Sequence, residues 1–194
     1  MYDLLHKKIL EIIPISDEEF NFCKTLFQPK KLRKRQFLLQ EGDVCKYTIF
    51  VEKGLLRTFN IDEKGTEHVL QFAFEGWWMG DIYSFLTDEP SIYNIEALEN
   101  SELLLLTRSS WELLLSKIPA FERYFRILIQ NNLIATQRRL LGSMSKTAEE
   151  KYTDLVSKFP ECLQRLPQHM IASYLGITPE TLSRIRSQMA SRKS

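Results

Sequence analysis

The sequence predicts an α+β protein in which an all-β segment lies between two helical segments. Three observations predict this fold class. The first thirty residues place leucine and isoleucine at helical spacing, the stretch from Lys30 to Thr107 changes to short alternating runs, and helical spacing returns from Ser109 onward. A hydrophobic period that changes from about 3.6 to 2 and back is typical of a sheet domain flanked by helices.

The first helical segment contains two predicted helices. The first has one apolar stripe, formed by Leu4, Leu5, Ile9, Ile12 and Ile13. Ser16 and Glu19 have the S-x-x-E spacing of a capping box, in which each side chain binds the other's backbone amide. This spacing predicts a second short helix that runs through Leu26.

The central segment consists of short apolar or alternating runs separated by turn signals such as Gly42-Asp43, Gly54 and Gly65. Many short strands with regularly spaced turns predict a β-sandwich or a small barrel. A run with five cations, Lys30 to Arg35, enters this segment. We expect it to be a solvated edge strand protected by lysines; contact with a nucleic acid is the alternative.

Composition and cysteine usage narrow the class of protein. The formal net charge is +1, and the three cysteines, Cys23, Cys45 and Cys162, show no C-x-x-C spacing, which argues against disulfides, zinc and iron–sulfur clusters. The three histidines are isolated, and no catalytic triad or phosphate-binding glycine loop is present, so we expect no metal site and no enzymatic activity. No apolar run reaches the ~18 residues that cross a bilayer. We therefore expect a soluble, cytoplasmic protein without a membrane partner.

The third segment begins with a short helix that Ser109 and Glu112 are predicted to cap, followed by a long helix over 119–143. The long helix has two apolar faces, one with Phe125, Ile129, Leu133, Thr136 and Leu140 and the other with Ile127, Ile134 and Leu141. A helix with two apolar faces must bury both. Its 4-3-4 spacing favours pairing with the same helix of a second subunit, and packing between the domains of one chain is the alternative. Thr147 and Glu150 predict the cap of the next helix.

The residues from Gln168 to Ser187 match a helix-turn-helix. Gly176 suits the φ > 0 of a sharp turn, and Ala172 allows two helices to approach closely. The predicted apolar wedge between the helices consists of Ile171, Leu175, Ile177, Leu182 and Ile185. The alternative is an ordinary corner of two helices with a solvated outer face.

The outer face of the second helix carries short polar side chains and one long cation. Thr178 is a predicted N-cap, Pro179 suits the first helical position, and Glu180 and Arg184 lie one turn apart. Such side chains can contact base edges and phosphates in a major groove of double-stranded DNA. The candidate DNA-binding residues are Gln168, Thr178, Pro179, Glu180, Thr181, Ser183, Arg184, Ser187, Gln188, Arg192 and Lys193.

This order of parts resembles the Crp/Fnr family of bacterial transcription regulators over nearly the whole chain. The motifs that carry the resemblance are Gly42-Asp43, Gly54-Leu55-Leu56-Arg57, Gly65, Gly80-Asp81 and the recognition-helix run from Thr178 to Arg184. The resemblance implies a sensor domain over 1–118 built as a β-roll (a double-stranded jelly roll), a dimerisation helix over 119–143 and a helix-turn-helix domain over 144–194. It also implies a homodimer that binds an inverted-repeat operator and contacts RNA polymerase. The chain ends soon after the recognition helix, so we expect the usual wing to be reduced or absent, with Arg192 and Lys193 contacting phosphates in its place.

The sequence also departs from the family's pattern. Pro179 stands where members that respond to cyclic AMP have an arginine, so one base contact should be missing and the operator should differ. Gly80-Asp81-Ile82 resembles the family's ribose-binding turn, but the phosphate-binding cation is absent from the run Asp88 to Ile92. Cyclic AMP is therefore not expected in the usual mode.

The sequence identifies no cofactor, but a small-molecule effector of unknown identity is a further expectation. The tentative pocket for this effector consists of Gly80, Asp81, Ile82, Ser91, Tyr93, Thr136 and Gln137. Trp77, Trp78 and Tyr83 either line this pocket or belong to the core. The alternative function is a cyclic-nucleotide-binding module that regulates a protein partner.

Overall fold

The computed structural model describes residues 1–191. Its helices are α1 (Asp3–Leu10), α2 (Asp17–Leu26), α3 (Ile82–Thr87), α4 (Arg108–Lys117), α5 (Ala120–Ser145), α6 (Ala148–Lys158), α7 (Cys162–Arg165), α8 (Gln168–Leu175) and α9 (Pro179–Ser191). Its strands are β1 (Gln28–Leu32), β2 (Phe37–Leu39), β3 (Tyr47–Lys53), β4 (Leu56–Ile61), β5 (Glu67–Ala73), β6 (Trp78–Met79), β7 (Asn94–Ala97) and β8 (Ser101–Thr107). The predicted order of helices, strands and helices is confirmed.

The strands form two four-stranded antiparallel sheets with the orders β1-β8-β3-β6 and β2-β7-β4-β5. Ile49, Leu56, Ile95 and Leu103 fill the space between the sheets with other buried apolar residues. The predicted jelly-roll sandwich is therefore confirmed. β1 is an edge strand, and the lysines on it are exposed, as expected for a basic run that protects a sheet edge.

Strand β8 explains why one run of the sequence is apolar at every position. Leu103 and Leu105 point between the sheets, whereas Leu104 and Leu106 point outward into a second cluster with Leu5 of α1. This second cluster also contains residues of α2, α4 and the first turns of α5. A strand that is covered on both faces has no reason to alternate in polarity.

The turn between β3 and β4 requires glycine. Gly54 has a φ of 99°, in the left-handed region that favours glycine. A Cβ atom at this position would lie 2.3 Å from the hydroxyl oxygen of Ser101. A side chain here would therefore separate the start of β8 from this turn.

Two of the three predicted capping boxes are confirmed, and the third is wrong. Ser16 caps α2 and Thr147 caps α6, each with its glutamate three residues later. The cap of α4 is Thr107, two residues before the predicted Ser109, because the Thr107 hydroxyl accepts a hydrogen bond from the Ser110 amide at 3.1 Å. Glu112 instead pairs with Arg108.

Helices α6 to α9 share their core with the sheet β2-β7-β4-β5. Ile171 and Leu182 belong to the same apolar cluster as Phe59, Val69 and Phe72, which lie on the outer face of that sheet. The predicted division into a sensor domain and a DNA-binding domain therefore crosses a continuous apolar cluster. Residues on both sides of the division stabilise each other by burial.

Replacing Ile171 by alanine is expected to lower the free energy of unfolding by about 2–5 kcal/mol, because its fully buried side chain would leave a cavity. Chemical denaturation measures this change. The matched control is Leu113→Ala on the exposed side of α4, with an expected loss below about 1 kcal/mol. Equal losses in the two variants would contradict the shared core.

Candidate nucleic-acid interface and sensor pocket

The turn between α8 and α9 has the geometry that glycine permits. Gly176 has a φ of 66°, its amide donates to the Ser173 carbonyl at 3.0 Å, and the Ile177 amide donates to the Ala172 carbonyl at 3.0 Å. These two bonds form a Schellman motif, which satisfies the last carbonyls of a helix. The Thr178 hydroxyl then accepts from the Thr181 amide at 3.2 Å, so the predicted N-cap of α9 is confirmed.

The predicted wedge lies between the two helices. Ile171, Ala172, Leu182 and Ile185 are buried. The two other predicted wedge residues, Leu175 and Ile177, pack against the same cluster, as does Met189 near the end of α9. Their burial fixes which side of α9 faces away from the protein.

The outer face of α9 is open. The exposed candidates are Gln168, Thr178, Pro179, Glu180, Ser183, Arg184, Ser187 and Gln188, and Thr181 is half-buried. Arg184 makes no ion pair with any residue that the structure describes, so its guanidinium is available to a ligand. Arg192 and Lys193 lie outside the described residues, and their predicted phosphate contacts remain predictions.

Glu180 is held in its ionised form. Its own backbone amide and the neighbouring Thr178 hydroxyl lower the pKa of its carboxyl group below the usual value. An ionised carboxylate can only accept hydrogen bonds. It therefore matches a hydrogen-bond donor in the major groove, such as the amino group of cytosine. Glu180 and Arg184 thus present an acceptor and a donor one turn apart.

The tentative sensor pocket is only partly assembled. Asp81 caps α3 by accepting from the amides of Tyr83 at 3.1 Å and Ser84 at 3.3 Å, and its other oxygen accepts from the Ser91 hydroxyl at 2.7 Å. The Tyr93 amide donates to the same hydroxyl at 3.1 Å. Both oxygens of the buried Asp81 carboxylate are therefore occupied by the protein itself.

The other members of the predicted pocket have exposed side chains. Ile82 is exposed, and Thr136 and Gln137 lie on an exposed stretch of α5 without a hydrogen bond to Asp81 or Ser91. Gly80 joins the cluster through the chain, since it directly precedes Asp81. The structure therefore brings together Gly80, Asp81, Ser91 and Tyr93 but not the two residues of α5.

Two tryptophans that were candidates for the pocket lining belong to other places. Trp78 packs edge-on against Phe50, and its indole N–H donates to the Tyr124 hydroxyl at 3.0 Å in the cluster beneath α5. Trp77 packs against Phe159 with ring centroids 5.2 Å apart, between the sheet and α6. Their roles are in packing, which was the alternative interpretation of the aromatic residues.

The charges near the pocket are paired within the protein. Asp88 pairs with Arg108, and Glu89 accepts from the Tyr83 hydroxyl at 2.9 Å. Arg57, the cation of the Gly-Leu-Leu-Arg run, is only 4% exposed and donates to Glu96 at 2.7 Å and also to Glu67. Neither arginine is therefore a free partner for a phosphate group.

The cysteines have the character of core residues. All three are free and buried. Burial raises the pKa of the Cys23 thiol to about 12 and that of Cys162 to about 11, and it also raises the pKa of Cys45. At neutral pH the three side chains are thiols rather than reactive thiolates.

Sequence reasoning missed a group of residues that joins α7 and α8 to the sheet. Neither Arg165 nor Ser173 is among the candidate site residues that the sequence indicates. Arg165 instead binds Glu75 and Glu99, and the Ser173 hydroxyl binds the backbone of β5. Both contacts join residues far apart in sequence, so no local pattern marks them.

Comparison with known proteins agrees with this geometry. Residues 29–117 match the family model described as the cyclic nucleotide-binding domain. The regulatory protein HlyX of Actinobacillus pleuropneumoniae is 23% identical over 88% of this chain and 75% of its own. The fumarate and nitrate reduction regulatory protein of Vibrio cholerae is 24% identical over 88% of this chain and 72% of its own.

Solved structures share the fold. FixK2 from Bradyrhizobium japonicum superposes with a TM-score of 0.72 at 22% identity, over 86% of each chain. The catabolite activator protein of Thermus thermophilus superposes with a TM-score of 0.60 at 21% identity, over 96% of this chain and 88% of its own. In the part of the chain that the structure describes, no helix has the length and apolar character needed to cross a bilayer. With a match to the cyclic nucleotide-binding domain over 29–117, a long helix and a helix-turn-helix, the chain is similar in sequence and in fold to regulators of the Crp/Fnr type.

Proposed function

We propose that the chain is a sequence-specific DNA-binding transcription regulator that acts as a homodimer on an inverted-repeat operator. The observation that carries this proposal is the open polar face of α9, whose opposite side is fixed by Leu182 and Ile185. The duplex would receive Glu180 and Arg184 at the start of the helix, where recognition helices contact base edges. A cytoplasmic location and a contact with RNA polymerase are parts of the same proposal.

The division of labour along the chain follows from the same proposal. Residues 1–118 would form the sensor domain, 119–143 the dimerisation helix and 144–194 the DNA-binding domain. The observed α5 runs two residues beyond the proposed second boundary, to Ser145. A DNA mobility shift distinguishes this function from that of a module that regulates a protein partner.

Helix α5 supports the dimer because most of its apolar surface has no cover within one chain. Leu133 is 56% exposed and Met144 is 78% exposed, and four other large apolar side chains of α5 are also exposed. These four are Ile129, Ile134, Leu140 and Leu141. An apolar strip of this length at coiled-coil-like spacing fits a second copy of the same helix. Phe125, predicted for the same strip, is buried in the sensor core, so the strip begins at Ile129.

Sensing in this protein is proposed to be independent of cyclic AMP in the usual mode. Ser91 satisfies the carboxylate of Asp81, and the nearby cations Arg57 and Arg108 are paired with acids. Because the Ser91 hydroxyl already donates to Asp81, it is not a free donor to a cyclic phosphate. A different small molecule remains a proposal without an identified chemistry.

Replacing Arg184 by alanine is expected to weaken binding to the preferred operator by about 1–3 kcal/mol and to relax the preference at one base position. Arg184→Lys should retain the salt dependence but lose the base preference, because lysine lacks the planar two-pronged donor. The measurement is affinity for a set of operators that differ at single positions. Lys117→Ala, an exposed cation on α4, is the control for net charge. Unchanged base preference in Arg184→Ala would contradict the assigned contact.

Replacing Leu133 by aspartate is expected to give monomers, because the dimer would have to bury a charge in an apolar strip. Sedimentation measures the mass, and affinity for the inverted repeat should fall about a hundredfold or more when two half-sites are no longer bound together. Asn131→Asp adds the same charge at a polar position of α5 and should remain dimeric. A dimeric Leu133→Asp protein would place the interface elsewhere.

Cyclic AMP at about 1 mM is expected to leave the melting temperature of the protein unchanged. A ligand that binds the folded protein and is present at a hundred times its Kd would raise the free energy of unfolding by about 2.7 kcal/mol, and the melting temperature with it. Differential scanning calorimetry measures the difference. The control variant is Asp81→Ala, which should lose about 1 kcal/mol of stability with its helix cap whether or not the nucleotide is present. A rise in melting temperature that this variant abolishes would overturn the prediction.

A further inference from the structure

One side chain of helix α8 hydrogen-bonds the edge of a sheet. β5 is the last strand of its sheet, so one side of its backbone has no neighbouring strand. The Ser173 hydroxyl accepts from the Val69 amide at 2.9 Å and donates to the Glu67 carbonyl at 2.8 Å. Ser173 therefore makes the pair of hydrogen bonds that a neighbouring strand would make.

Arg165 attaches α7 to two turns of the sensor domain. Its guanidinium donates to both oxygens of Glu75 at 2.8 and 2.9 Å, and to both oxygens of Glu99 at 3.0 and 2.7 Å. Glu75 also accepts from the Gly54 amide at 2.9 Å. Arg165 thus binds two turns directly, and Glu75 links it to the third turn, at Gly54. We call Arg165, Glu75 and Glu99 together the Arg165 clamp.

The clamp is stronger than an ordinary surface ion pair. Each carboxylate is bound through both oxygens, and the arginine side chain is only 24% exposed. Partial burial would raise the pKa of Glu75, but the hydrogen bonds from Arg165, from its own amide and from the Gly54 amide outweigh burial and lower it. Glu75 and Arg165 therefore both stay charged at neutral pH.

Apolar contacts make the attachment stiff. Phe159, the residue after α6, stacks on Phe74 and packs edge-on against Trp77. Tyr174 of α8 packs on Phe72 at 5.4 Å between ring centroids. Arg139 of α5 lies over the Tyr174 ring and also donates to a carbonyl of β5. Helix α8, on which the recognition helix α9 packs, is thereby fixed both to the sensor domain and to the dimerisation helix.

We propose that Arg165 and Ser173 are positioning residues that set the half-site spacing accepted by the dimer. This inference rests on the proposed function, since it assumes two recognition helices on one duplex. A spacer longer by one base pair moves a half-site by ~3.4 Å and turns it by roughly 35° around the duplex. Helix α9 packs on α8, which Ser173 and Tyr174 hold to the sheet and which follows the clamped α7. Held in this way, α9 cannot follow that change, whereas a released α9 can.

The test measures the affinity of each variant for inverted repeats whose spacer is lengthened or shortened by one and two base pairs. The wild type should prefer one spacing by about tenfold or more over its neighbours, since a one-base-pair change displaces the half-site by ~3.4 Å. Arg165→Ala and Ser173→Ala should reduce that preference to about threefold or less, with affinity for a single half-site unchanged.

A third variant excludes a direct role in binding DNA. Glu99→Gln removes a charge from the sensor side of the clamp and should relax the spacing preference in the same way as Arg165→Ala. Its near-identical size also provides a folded protein if Arg165→Ala fails to fold. Lys158→Ala and Ser157→Ala on the exposed side of α6 are the matched controls and should keep the wild-type preference.

The outcomes separate this inference from the function on which it rests. A wild-type preference retained in all three variants would overturn the positioning role alone. Equal weakening at every spacing with a smaller salt dependence in Arg165→Ala would make Arg165 a phosphate contact and would also overturn it. The preferred operator is first selected by the wild-type protein from a pool of random duplexes. If the wild type selects no duplex, the proposed function is wrong, and the inference with it.

Discussion

The burial of Leu182 and Ile185 against Ile171 and Ala172 is the contact on which the reading surface depends. It turns the polar side of α9 outward, because a helix of this length has one apolar stripe and that stripe is occupied. The same cluster continues into Phe59 and Phe72 on the sheet. A conformational change in the sheet can therefore reach the recognition helix α9 through direct packing contacts.

The sensor domain uses its charged groups for its own structure. The carboxylate of Asp81 caps a helix and accepts from Ser91, and the buried Arg57 binds two glutamates. Groups in such a network are already satisfied, so a ligand that competes for them must replace good hydrogen bonds with better ones. This requirement favours an effector that binds elsewhere or one whose chemistry differs from that of a cyclic phosphate.

Sequence alone predicted the parts of the molecule that local rules control. The capping boxes at Ser16 and Thr147, the left-handed glycine Gly176 and the apolar wedge each follow from spacing over a few residues. It placed the α4 cap at Ser109 because Glu112 completes the capping-box spacing there, whereas Thr107 is both the last residue of β8 and the cap of α4. The Arg165 clamp could not be predicted, because its partners Glu75 and Glu99 precede it by 90 and 66 residues and leave no periodic signal.

The burial of Cys23, Cys45 and Cys162 has a practical consequence for spectroscopy. Alkylating dyes and spin labels react with accessible thiolates, and these three side chains are enclosed and protonated at neutral pH. A single cysteine introduced at an exposed site, such as Gln188 on α9, would therefore react selectively in the otherwise unaltered chain. The distance between the two labels of the proposed homodimer would report the separation of its two α9 helices directly.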